Sequence, residues 1–346
     1  MKTILITGGS GFFGAYLTEI LLNEGYAARV LDRDNIEDEA IKKRISFFKG
    51  DVRDKDLADK ACKDIDYLFH NAAIVPVSRS SKREFLDINV NGTRNILERA
   101  LLNKVKKVVF VSSSAPYGIP KEIPITEDTK FNPVCDYGRS KIEAEKVCNE
   151  YRRKGLNIII IRPRTIVGSG RLGIFQILFS WIADNKRIYT IGDGKNRVQL
   201  MSKSDFAQVC LASIRRECVN EDFNIGAGGY GTVNEDLEGL IKYTGSSSKI
   251  CHIPEKLAQG ALFLLDKTNL SPFTPWHYKT AGETFYFNTS KAEKLLGWQP
   301  KMSNIDMLKD GYDWYIKNRN SVDSHYGTTH TYSVRQKILR VLKGIS

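Results

Sequence analysis

Thr3-Ile4-Leu5-Ile6-Thr7-Gly8-Gly9-Ser10-Gly11-Phe12-Phe13-Gly14 stands two residues from the start of the chain. Its first five residues are an apolar run of strand length. From Phe12 to Asn23 the apolar positions recur at helical spacing. Glycines occupy 8, 11 and 14, where strand gives way to helix. Glycine at such a junction allows a tight turn, close approach of a pyrophosphate, and close packing of helix on strand. The pyrophosphate would rest on free N–H groups at the positive end of the helix, here those of Ser10, Gly11, Phe12, Phe13 and Gly14. A glycine triplet alone is weak evidence, and its plain alternative is a turn with a surface acid behind it.

The next strand removes most of that ambiguity. Ala28–Leu31 runs into Asp32, 18 residues beyond Gly14. An acid about 20 positions past such glycines is placed to hold ribose hydroxyls. Its charge repels a 2′-phosphate, which favours NAD over NADP. Arg33 is the counter-signal, because an adjacent arginine can accept that phosphate. Gly50-Asp51-Val52 ends a third strand, where a carboxylate can meet the adenine amine. Asn71-Ala72-Ala73 ends a fourth, where small residues let the backbone approach a cofactor.

Farther along, apolar runs recur at Ser46–Phe48, Tyr67–Phe69, Val108–Val111 and Ile158–Ile161, with amphipathic helical segments at Asp54–Cys62, Glu84–Leu102 and Tyr137–Arg153. Continuous apolar strands separated by helices indicate a parallel sheet covered on both faces, the doubly wound Rossmann-type α/β architecture. The expected division is a dinucleotide-binding domain over residues 1–168, to which the chain returns at 198–226. A smaller substrate-binding lobe takes 169–197 and 227–320, and after Gly168 helices are expected near 174–184, 203–216, 234–243, 290–296 and 304–317. Asn318–Thr331 reads as a polar linker, so that 321–346 forms a linker and a basic amphipathic tail.

Tyr137-Gly138-Arg139-Ser140-Lys141 sets a phenol and an ammonium four residues apart, on one face of a helix. A nearby ammonium favours the phenolate and so lowers its pKa. A phenol tuned in this way exchanges protons with a substrate hydroxyl. The competing reading is an ordinary surface pair. Ser112-Ser113-Ser114-Ala115-Pro116-Tyr117-Gly118 follows the strand Val108–Val111, placing hydroxyls where open α/β sheets bind ligands.

Taken together, these motifs resemble the extended short-chain dehydrogenase/reductases, the NAD-dependent epimerase/dehydratase family. The resemblance spans about residues 1–320. It rests on Thr7-Gly8-x-x-Gly11-x-x-Gly14, Asp32, Asp51-Val52, Ala72-Ala73, Asn89-Val90-x-Gly92-Thr93, Tyr117-Gly118, Tyr137-x-x-x-Lys141 and Arg162-Pro163. It implies NAD as cofactor, Tyr137 as acid/base, and Lys141 also on the nicotinamide ribose. Ser113 would orient the substrate hydroxyl, with Ser114 the second choice. Asn89 would support the proton network, while Ser112 and Pro163 would lie against the cofactor.

The resemblance further implies hydride transfer at a carbinol carbon, mostly on nucleotide sugars. Sugar dehydratases of this kind carry an Asp-Glu pair after the catalytic hydroxyl residue; here Ser114 and Ala115 stand there, which argues against dehydration. The 3,5-epimerizing relatives use a Cys in this loop, and this loop has none. The leading expectation is a nucleotide-sugar 4-epimerase. A hydroxysteroid- or lipid-type alcohol dehydrogenase remains open, as does a non-catalytic NAD sensor. Arg197, in Gly192-Asp193-Gly194-Lys195-Asn196-Arg197, resembles a diphosphate-gripping arginine, and Thr165 stands where an Asn is expected. Relatives pair through helices corresponding to 84–102 and 137–153, which implies a homodimer.

The bulk properties add exclusions. The net charge is +12, but the basic residues are dispersed along the body, which suits anionic small molecules better than nucleic acid. Six cysteines show no Cys-x-x-Cys spacing, so no metal site is expected. No leader-like segment is visible, so a cytoplasmic location is expected. In the tail, Val334, Ile338, Val341, Leu342 and Ile345 gather on one helical face, Arg335 and Leu339 border it, and Lys337, Arg340 and Lys343 lie opposite. Such a helix either docks on the body or makes weak peripheral contact with an anionic membrane.

Overall fold

The computed structural model describes residues 1–78, 80–171, 173–217, 220–268, 270–322 and 338–345. Seven parallel strands form the central sheet: β1 (Thr3–Thr7), β2 (Ala27–Asp32), β3 (Ile45–Lys49), β4 (Tyr67–His70), β5 (Lys107–Val111), β6 (Ile158–Pro163) and β7 (Asp222–Ile225). Their order is β7-β6-β5-β4-β1-β2-β3. β1 lies between β2 and β4, with Thr7 opposite both Leu31 and His70. The order reverses there, and ligands of open α/β sheets bind outside the strand ends at such a point.

Alternation along the strands builds a core on each face. Ile4, Ile6, Val30, Phe69, Val109, Ile159 and Ile161 pack on one side with α1 (Phe12–Asn23). Leu5, Leu31, Leu68, Val108, Phe110, Ile158 and Ile160 pack on the other, with α2 (Thr93–Leu102) and α3 (Asp136–Arg153). Helices on both faces explain why β5 is buried at every position. The chain returns to the sheet as β7, beside β6.

A separate apolar cluster forms the core of the smaller lobe. It joins α4 (Ile174–Ala183) to α6 (Asn304–Val322) through Phe179, Ile182, Met307, Leu308 and Tyr315. Between these in sequence, α5 (Lys203–Arg215) packs back on α1, with Phe13 and Phe206 stacked at 3.9 Å.

Three elements differ from the sequence expectation. The segment 84–102 is not one helix: Lys82–Leu86 and α2 are separated by a π-helical stretch, Asp87–Gly92. Glu255–Lys267 is helical, although it buries only Ala258. The polar residues Asn318–Val322 belong to α6 rather than to a linker, because Arg319 is fixed to Asp184 at 2.8 and 3.0 Å.

Of the tail, Val334, Arg335 and Lys337 lie outside the described residues. The helix α7 (Ile338–Ile345) is described and rests on the body. Leu339 is buried in the lobe core, and Lys343 reaches Asp184 at 2.6 Å. The inward side therefore runs through Leu339 and Lys343, whereas Leu342, expected on the apolar face, is exposed.

Candidate active site

A cleft of about 900 Å³ opens at the C-terminal ends of β1, β2, β4, β5 and β6. Gly8, Ser10, Gly11, Phe12, Phe13, Asp32, Arg33, Asp51, Val52, Asn71, Ala72, Ala73, Ser112, Ser113, Ser114, Tyr137, Lys141, Pro163 and Thr165 all line it. Gly14, Asn89 and Arg197 do not.

Gly14 acts from beneath. A Cβ there would lie 2.0 Å from the Gly8 carbonyl oxygen, so only glycine lets α1 begin this close to the loop. Gly8 has φ +71°, and a Cβ on it would strike the Ala72 backbone at 2.7 Å. The loop is thus pressed between α1 and the end of β4. No side chain caps α1, and its first turn holds no acid. Its N–H groups therefore remain available to an anion, as a dinucleotide diphosphate requires.

At the β2 end of the cleft, Asp32 accepts the Ser10 N–H at 2.9 Å and the Asp34 N–H at 3.2 Å. Asp51 is gripped by Arg53, whose Nε and Nη2 each donate at 2.9 Å. Burial works against the Asp51 charge, but the Arg53 hydrogen bonds outweigh it and hold the carboxyl below its usual range. Arg33 leans towards the same carboxylate, at 3.9 Å. Asp51, just past β3, is thus the acid with basic neighbours, while Asp32 is held by backbone N–H groups.

At the other end, Tyr137 sits in the first turn of α3 among Phe85, Ala115 and Trp276. Burial pushes its phenol up to about 12, while the Ser113 hydroxyl and Arg171 act in the opposite direction. Lys141 does lie one turn along the same face, but its ammonium is turned to the end of β5. It donates to the Val111 carbonyl at 2.8 Å and lies over the Phe110 ring. Burial pushes it down to about 8. The expected lowering of the phenol by this ammonium is therefore not the dominant effect; desolvation is.

The wide turn at Asp87–Gly92 places Asn89 behind these groups. Its amide accepts from Ile74 N at 2.9 Å and donates to Ile74 O at 3.1 Å and Ser140 Oγ at 3.0 Å. Ser112 contributes its backbone to the cleft, while its hydroxyl turns inward to Glu145. Arg162 forms a buried bidentate pair with Glu145, at 2.9 and 2.8 Å. That network fixes β5, β6 and α3 relative to one another.

Residues 4–226 match the model of the NAD-dependent epimerase/dehydratase family. The chain belongs to that family. It is 38% identical over 343 residues to an uncharacterised protein of Sinorhizobium fredii, covering 99% of this chain and 86% of the relative. It is 29% identical over 341 residues to a UDP-glucose 4-epimerase of Lactobacillus helveticus, covering 90% and 96%. The fold matches a UDP-glucose 4-epimerase structure from Bifidobacterium longum in complex with NAD+ and UDP. That match has a TM-score of 0.74 at 26% identity and covers 92% of this chain and 99% of that one.

The cleft also holds residues that the sequence reading did not single out: Arg164, Arg171, Lys203, Trp276 and His277. Arg197, by contrast, is exposed and outside the cleft lining; its backbone bridges to Thr232.

Proposed function

We propose that this epimerase-family enzyme inverts a nucleotide sugar at C4. The observation that carries the reading is the convergence of Ser113, Tyr137 and Lys141 at the sheet's switch point, beside an uncapped α1. Bound NAD supplies a hydride acceptor that returns the same hydride. With the positive charge of oxidised NAD offsetting the burial of the phenol, Tyr137 as its phenolate would take the C4 hydroxyl proton as the C4–H bond breaks, leaving a ketone and a neutral phenol. The neutral phenol would give that proton back to the C4 oxygen when hydride returns on the opposite face, so the reaction has no net redox change. Ser113 orients the oxygen. Lys141, tuned close to neutral by burial, has the reach to serve a ribose hydroxyl and the proton path. Ser114 and Ala115 offer no acid/base pair for eliminating water.

The test is NAD-loaded protein incubated with UDP-sugars. The expected product has unchanged mass and inverted C4 configuration by NMR. Loss of water, or stoichiometric NADH accumulation with a neutral alcohol, would remove the reading; the latter would favour a one-way dehydrogenase. We also propose a homodimer formed through 84–102 and 137–153. Membrane contact by α7 would require it to leave Asp184 and the lobe core.

A further inference from the structure

Two guanidinium groups face the catalytic end of the cleft, and neither has a carboxylate partner among the described residues. Arg164 is 4% exposed. Its Nε donates to the Gln199 carbonyl at 2.9 Å, and its Nη1 to Ser114 Oγ at 3.1 Å. The group lies 3.8 Å over the Phe285 ring. Held in this way, Arg164 lines the cleft beside Ser114. Arg171 also lines the cleft, 5.5 Å from the Phe12 ring, and its buried Nε has no hydrogen-bond partner. The titratable group that acts on it is the Tyr137 phenol.

Arg162, one strand position before Pro163, shows how this fold otherwise treats a buried arginine: it is paired with Glu145 and Asp222, both at 2.8 Å. A buried cation with no counter-charge is strongly unfavourable. Buried Arg164, with half-buried Arg171 lining the same cleft, fits a site whose anion arrives with the substrate. Guanidinium is well suited to a carboxylate or a phosphate.

The position distinguishes these two sources. On the 4-epimerase reading, on which this inference rests, C4 must sit at Tyr137 and Ser113. In a pyranose, C5 and its C6 substituent adjoin C4, whereas the diphosphate on C1 is across the ring. Arg164 is held by Gln199, Ser114 and Phe285, so it cannot swing to the far side. We infer that Arg164 and Arg171 recognise a carboxylate at C6, so that the substrate is a nucleotide hexuronate rather than a neutral nucleotide hexose.

The experiment compares UDP-glucuronate with UDP-glucose on the NAD-loaded full chain. The expected kcat/KM ratio favours the uronate by at least ~10², because a site built for a charged group rejects the analogue lacking it. Arg171→Met should cut that ratio at least ~10-fold. Arg164→Met should do the same; since this side chain is buried, Arg164→Lys serves as the second variant if the first does not fold. Calorimetry with UDP alone supplies the other arm. Equal or better use of UDP-glucose overturns the inference. So does an equal loss for both sugars with weakened UDP binding, which would assign the arginines to the diphosphate. If the uronate binds preferentially but neither sugar is epimerised, the epimerase reading falls and the carboxylate site stands. If none of the three ligands binds, both fall.

Discussion

Replacing the phenol of Tyr137 by phenyl takes one oxygen from a wall otherwise made of Phe85, Ala115 and Trp276. The packing survives, but the proton acceptor does not. Tyr137→Phe should therefore lose at least ~10² in kcat while dinucleotide affinity stays within about threefold. Epimer formation measures the first and calorimetry the second; near-normal turnover would remove Tyr137 from the chemistry. A second outcome tests the adenosine end. Asp32 lines the cleft where the sequence motif expects a ribose-holding acid, and Arg33 is drawn to Asp51. NADP should bind at least ~10-fold more weakly than NAD. Equal binding would mean that Arg33 swings away from Asp51 to receive the phosphate.

The glycines and the Tyr137–Lys141 spacing could be read from sequence because local geometry dictates both. Arg164 and Arg171 could not. A charged residue defaults to the surface, and the burial of Arg164 depends on Phe285 and Gln199, which are distant in the chain. The pKa of Tyr137 was misjudged for a related reason: spacing places the ammonium on the right face, but only the fold reveals how completely the phenol is desolvated.

Among the elements, the strands were legible because both faces are buried, so each reads as a continuous apolar run. The helix Glu255–Lys267 was not, since it contributes little to any core and leaves Leu257 and Leu264 exposed. Polar Asn318–Val322 misled for the opposite reason: composition suggested a linker, whereas Arg319 holds the segment to Asp184. The start of α1 yields a sharp test. Gly14→Ala drives a methyl into the Gly8 carbonyl, so the loop must shift. It should cost about 1–3 kcal/mol of stability, the scale of overpacking, and weaken dinucleotide binding at least as much as it destabilises the fold. Urea unfolding and calorimetry check this; unchanged binding would mean that the loop geometry does not hold the diphosphate. The docked α7 gives another. A chain ending at Val322 should melt lower, having lost Leu339 from the lobe core and Lys343 from Asp184. Neither form should sediment with anionic liposomes at physiological salt. Sedimentation of the full chain alone would show that α7 releases from the body.

For the whole molecule, a parallel sheet covered on both faces was implied by the alternation of strands and helices, whereas the order of its strands was not stated by any segment. What ties the sheet centre together was not visible. His70 is buried between Thr7 Oγ1 at 2.7 Å and Thr93 Oγ1 at 2.9 Å, joining β4 to β1 and α2. Burial holds its pKa down, to about 3. The unfolded chain takes up this proton as pH falls through about 6.5, whereas the native state resists it until about 3. Stability should therefore decline progressively below pH 6.5, and His70→Gln should flatten that decline even if it melts lower at pH 7.5. Parallel slopes for the two proteins would show that His70 does not govern acid stability.

The π-helical stretch Asp87–Gly92 has a consequence for how the sequence tolerates insertion and deletion. Such a turn holds one residue more than α-helical winding accommodates. Deleting one residue there would let Lys82–Leu102 wind as an unbroken helix. It would also rotate neighbouring side chains by about 100° relative to the rest, carrying Asn89 away from Ile74 and Ser140. The shortened protein should be at least as heat-resistant and a poorer catalyst. Selection for activity would thus preserve an irregularity that selection for robustness alone would erase.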